Sequence, residues 1–201
     1  MAQAQQQPVN GMDDSPRGKL LSAAARLFRE KGFQRTTVRD IAREVGIQSG
    51  SLFHHFSSKE DILSAVMVEV IRFNTRRLRD AVAGVSDPVA QLHALVKGEL
   101  QAIVGDTSEA MSVLVYEWRC LSEDKQREAL ALRAVYEQLW METLGQLREA
   151  GYFSDDPFIV RRLITGMTSW TNTWFDPAGS LALEELATMI VHRVAGETGD
   201  R

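Results

Sequence analysis

The stretch VGIQSGSLFHHFSSKE, residues 45–60, gathers two adjacent histidines, four serines, two glycines and two phenylalanines. Those residue types could ligate a metal, relay protons or touch phosphate. Metal ligation is the poorest fit, because helical neighbours point about 100° apart and no cysteine or acid sits at ligand spacing. The other histidines, His93 and His192, and the single Cys120 have no compelling partner in sequence. No nucleophile elbow, Gly-rich phosphate loop or metal-spaced cluster occurs. A catalytic residue, a metal and a cofactor are therefore not expected, and a recognition surface remains.

Such a surface needs a scaffold. Thr37 followed by Asp40 has the spacing of a capping box for a helix over 38–45, and Gly46 permits the left-handed turn that ends it. A second short helix, from about Gln48 to Phe56, then completes a helix-turn-helix. Leu52 and Phe56 are expected to face a core with Val38, Ile41, Ala42, Val45 and Ile47. Gln48, Ser49, Ser51 and His54 fall on the opposite side, where small polar groups suit the major groove of DNA. Gly50 inside a helix costs roughly 1 kcal/mol against alanine, a cost that close backbone approach to a partner explains.

The rest of the chain is punctuated in the same way. Ser15-Pro16 opens a helix closed by Gly32, and Ser57 with Glu60 is expected to cap a long helix to about Val82. Further helices are expected at about 88–104, 107–121, 122–150, 157–175 and 183–195. That gives nine helices and no strand alternation, an all-α, two-domain chain. Residues 1–14 read as a disordered tail, 15–60 as a helix-turn-helix domain of three helices, and 61–201 as a ligand-binding and dimerisation domain. No apolar run approaches the ~18 to 20 residues of a membrane span, and no secretory signal opens the chain. A cytoplasmic protein with no membrane partner is the expectation.

The net charge of −4 hides a split. Residues 15–59 carry nine bases against three acids, whereas the remainder is strongly acidic. A basic head on an acidic body implies that one end meets phosphate.

The segments AAARLFREKGF (23–33) and TTVRDIAREVGIQSGSLFHHFSSKEDIL (36–63) resemble the DNA-binding domain of TetR-family transcriptional regulators, without a gap from about residue 17 to 63. The resemblance implies a homodimeric repressor of double-stranded DNA that binds a palindromic operator and is released by a small effector. It implies that Thr37 meets a phosphate through its hydroxyl and backbone amide. Arg39, Gln48, Ser49, Gly50 and Ser51 would approach bases or nearby backbone, with His54 on the same surface, and His55 and Lys59 would touch phosphates. Phe53 departs from the pattern: the family usually carries tyrosine there, whose phenol donates to a phosphate.

In the acidic body, Leu183, Leu186, Ile190 and Val194 form an apolar stripe, and Leu163 belongs to a second one with Trp170 and Trp174. These are the expected dimer faces. Tyr116, Trp140, Trp170 and Trp174 are candidates to line an apolar effector pocket. EAGYF (149–153) and WTNTWFDPAGSLALEELA (170–187) are similar to TetR-type regulators of fatty-acid and sterol breakdown that sense acyl-CoA thioesters. That similarity singles out Arg162, Trp170 and Trp174 for ligand contact, and it departs at Ala182, where a capping Ser or Thr is common. Two other classes compete: a small helical enzyme or metal-binding protein, and a DNA-binding protein without ligand response.

Overall fold

The structure, a computed structural model, describes residues 11–196. Every described regular element is helical: α1 (Pro16–Lys31), α2 (Val38–Glu44), α3 (Ser49–Leu52), α4 (Lys59–Val82), α5 (Pro88–Val104), α6 (Ser108–Tyr116), α7 (Glu123–Glu149), α8 (Pro157–Ser169), α9 (Thr171–Trp174) and α10 (Leu183–Ala195). The expected helix over 107–121 is α6 followed by a 3₁₀ turn at Trp118–Cys120. The expected helix over 157–175 is interrupted at Trp170, between α8 and α9.

The backbone packs as two compact units. One holds residues up to Phe73 together with Asp106–Ala131, and the other Asn74–Gly105 with residues from Leu132 onward. Helices α4 and α7 contribute residues to both. These packing units cut the chain at other points than the functional boundary expected near residue 60, because packing follows contacts in space and not charge along the chain.

In the first unit, α1 packs against α2 and α6, and α2 against α3. Its apolar stripe of Leu20, Leu21, Ala24, Leu27 and Phe28 is buried at helical spacing. Gly46 takes φ 73°, so the turn after α2 uses a conformation that a side chain would strain. The expected disordered tail lies outside the described residues for 1–10. Of the remainder, Met12 is only 3% exposed, because an apolar residue beside this core gains by leaving water, while Asp13 and Asp14 are exposed.

The cap of α4 is one residue later than expected. Ser58, not Ser57, accepts from Asp61 N (3.0 Å), and its hydroxyl donates to the Asp61 carboxylate (2.9 Å). Glu60, expected in the box, instead accepts from Ser122 N at 2.9 Å. Ser58→Ala is expected to lower stability by about 1 kcal/mol and Ser57→Ala to leave it within a few tenths. Parallel urea titrations check the pair, and equal losses would return the cap to Ser57.

In the second unit, α5 packs on α10, α8 and α9 around a core of Leu92, Leu95, Trp140, Leu144, Ile164 and Val191. Gly98 lets α4 close on α5: a Cβ there would stand 2.3 Å from the Leu78 side chain. The N-terminus of α10 carries half a capping box. Glu185 accepts from Ala182 N at 2.9 Å, but alanine has no oxygen to return the bond.

Candidate nucleic-acid interface and a buried charge cluster

The outward edge of the head is built on two anchors. Leu52 and Phe56 are buried, and this fixes the turn between them. Beyond α3 the backbone continues with i→i−3 bonds: Phe53 N to Gly50 O, His54 N to Ser51 O and His55 N to Leu52 O. The helical path expected to Phe56 thus gives way after one α turn to a turn at 53–55, closed by Phe56 N to Leu52 O at 3.0 Å. Gln48, Gly50, Ser51, His54 and His55 are exposed, and Ser49 is half-buried. Ile47, expected in the core, is 40% exposed. It lies in the turn before α3, where Leu52 and Phe56 already supply the inward contacts.

Around this edge the bases divide into committed and outward ones. Arg17 pairs with Glu69, Arg26 with Glu44, Arg29 with Glu109 and Arg43 with Asp40. Arg39 is exposed in the first turn of α2 and makes no ion pair among the described residues.

Thr37 and Lys59 are engaged differently from expectation. Both Thr37 groups expected to meet phosphate already donate to Asp40 Oδ2, the amide at 3.0 Å and the hydroxyl at 2.6 Å. These bonds, the hydroxyl first, hold the Asp40 carboxyl below the usual carboxylate range. Lys59 Nζ turns inward, donating to Phe33 O (2.6 Å) and Thr36 O (2.8 Å) and lying 4.2 Å from the centre of the Phe33 ring. The carbonyls of the α1–α2 loop lack helical partners, and a flexible ammonium satisfies several at once. Glu117, directly after α6, holds the same loop, accepting from Phe33 N at 3.1 Å.

The second unit holds a polar cluster that the sequence reading missed. Arg161 is 3% exposed on α8, between two carboxylates. It donates to Glu99 from Nη1 (3.2 Å) and Nη2 (2.7 Å), and to Glu137 from Nε (3.0 Å) and Nη2 (3.3 Å). Glu99 also accepts from the Tyr136 hydroxyl (2.9 Å) and from Thr168 (2.6 Å). Trp140 lies under the guanidinium, 4.0 Å from ring centre to Cζ. Burial disfavours the Arg161 cation, but Glu99 and then Glu137 outweigh it and hold the group more firmly protonated. Burial first, then the Glu99 charge, pushes the Tyr136 phenol well above its ordinary value.

Arg161, Ile164 and Thr168 share one buried face of α8, and Leu92, Leu95, Val96 and Glu99 share one of α5. Of the expected ligand residues, only Trp140 is interior. Tyr116, Trp170 and Trp174 are exposed, and Arg162 is exposed over the Phe158 ring at 4.7 Å. Tyr116 belongs to the first unit and the other four to the second.

Of the stripe on α10 expected at a dimer face, Leu186 and Ile190 are buried in their own chain, and the half-buried Leu183 and Val194 pack against the same core, where α10 covers α5. Leu163, by contrast, is 63% exposed. With Ile159 and Gly166 it repeats at three- to four-residue steps along the outer face of α8.

The tight turn at Gly46, the short α3 with its polar outer edge and the all-helical body define a helix-turn-helix protein with a second helical unit. The family described as bacterial regulatory proteins, tetR family, matches residues 20–66, and the tetracyclin repressor-like C-terminal domain matches residues 85–195. The chain belongs to the TetR family. It is 33% identical to the HTH-type transcriptional repressor KstR2 of Mycobacterium tuberculosis H37Rv over 94% of this chain and 95% of that protein. The crystal structure of the superantigen PfiT is 55% identical, with a TM-score of 0.81, over 93% of this chain and 98% of that one. The structure of the ketosteroid transcriptional regulator KstR2 of M. tuberculosis gives 31% identity and a TM-score of 0.81, over 94% and 100%. Among the described residues no helix is long and apolar enough to cross a membrane.

Proposed function

We propose that the chain is a sequence-specific transcriptional repressor that binds duplex DNA as a homodimer in the cytoplasm and leaves its operator when a small effector binds the second unit. One observation carries this reading: an exposed edge of Gln48, Gly50, Ser51 and His54 is fixed by buried Leu52 and Phe56 on a basic head. Thr37, Arg39, Ser49 and His55 flank that edge, and Lys59 supports the loop behind it. One such edge reads few base pairs, so two copies on a palindrome are needed for useful specificity. The apolar stripe of α8 through Leu163 is the surface for that pairing.

KstR2 is named a ketosteroid regulator, and this supports an effector with a large apolar part, such as an acyl-CoA or another apolar anion. Arg162, Trp170 and Trp174 are the contact residues proposed for it. By linkage, the effector weakens DNA binding only as far as it prefers the non-binding conformation.

The test is fluorescence anisotropy of labelled duplex DNA against salt. Affinity should fall steeply with ionic strength. Arg39→Ala should weaken binding to different sequences alike and reduce the logarithmic salt slope by about one. Absence of salt-dependent duplex binding would end the regulator reading. The identity to PfiT favours a second reading, engagement of lymphocyte receptors. It predicts proliferation of T cells given the purified chain, and quiescent cells would remove it.

A further inference from the structure

Phe53 is the feature that the proposed function leaves unused. It is 58% exposed on the head, among polar and basic neighbours, where hydration of the ring gives no stability. It has no hydroxyl, so it has no side-chain donor for a phosphate. Its amide bonds to Gly50 O, an i→i−3 bond of 3.2 Å. Residues three apart on a helical turn lie on one face, so Phe53 stands on the same side as Gly50. Gly50 has no side chain, and a Cβ built there meets nothing within 4 Å. An aromatic ring therefore flanks open space over bare backbone, with Gln48, Ser51 and His54 exposed on the same short segment.

We propose that Phe53 and Gly50 form an apolar notch that receives the 5-methyl group of a thymine in the major groove, making Phe53 a specificity-determining residue. The inference rests on the duplex-binding reading above. The occupant follows from chemistry: in the major groove the thymine methyl is the apolar group that a phenylalanine ring reads. The charge of the head favours a polyanionic duplex over an apolar peptide. The absent side chain at Gly50 gives the base edge room to reach the ring.

The experiment begins with a duplex selected from a random pool by the full chain. Each thymine of the selected site is then replaced by uracil, which deletes only the methyl group. One thymine per half-site should show a loss of about four-fold, the value of one buried methyl. With Phe53→Ala that thymine-to-uracil ratio should fall to one at the same position. Gly50→Ala places a Cβ in the notch, where it meets no protein atom within 4 Å, and should lower the ratio too, and circular dichroism shows that both variants are folded. A pool that yields no enriched sequence overturns the repressor reading itself. An enriched site with no methyl-sensitive thymine, or a ratio that survives in both variants, overturns the notch and leaves the repressor reading standing.

Discussion

Replacing Arg161 with methionine should lower the unfolding free energy by about 3–5 kcal/mol, because two carboxylates would stay in the second unit without their cation. The expected readout is a lower urea midpoint at nearly unchanged slope. The size follows from what surrounds the guanidinium: four donor contacts within 3.3 Å to Glu99 and Glu137, and the Trp140 ring at 4.0 Å. Lysine is no substitute, since one ammonium cannot span two carboxylates in a planar fork. Glu137→Gln should cost much less, because Glu137 is partly exposed and water screens its charge. The double variant Arg161→Met, Glu99→Gln should lose less than the sum of its parts, as expected for residues of one network. A loss under about 1 kcal/mol for Arg161→Met would mean that the cluster is solvated in solution.

The second large effect belongs to Leu163. Leu163→Asp should leave the monomer folded, since the side chain is mostly exposed, yet abolish pairing of two copies. Light scattering should report a monomer, and operator affinity should fall by about 100-fold or more as the two half-sites lose their linkage. Leu186→Asp should behave in the opposite way. Its position is buried in its own chain, so the variant should fail to fold. A Leu163→Asp protein that stays dimeric would move the interface off this face of α8.

Most of the helical plan was legible in the sequence, because Ser15, Thr37, Asp87 and Asp156 are strong start signals, with proline directly after three of them. The buried side of the α3 turn was legible too, since Leu52 and Phe56 set its phase. Less legible was anything decided by a choice between neighbours. Ser57 or Ser58 caps α4, and Arg161 or Arg162 enters the interior; each pair differs by one residue of phase. Stripe reading on α10 found the apolar face, but periodicity does not tell whether such a face meets its own core or a second copy. Lys59 and Glu117 act through loop carbonyls and amides that are far from them in sequence.

Asp40 has a further consequence. Its carboxylate, tethered to the helix it caps, occupies the N-terminus of α2, where a free anion would otherwise settle. The head thus carries its own competitor for single anions. Cellular phosphate, sulfate or nucleotides must each displace a ligand held at high effective concentration. On the proposed function a duplex would engage Arg39, the α3 edge and a second head at once and would not contest that point. A fixed negative charge on a basic head would then favour long polyanions over small ones.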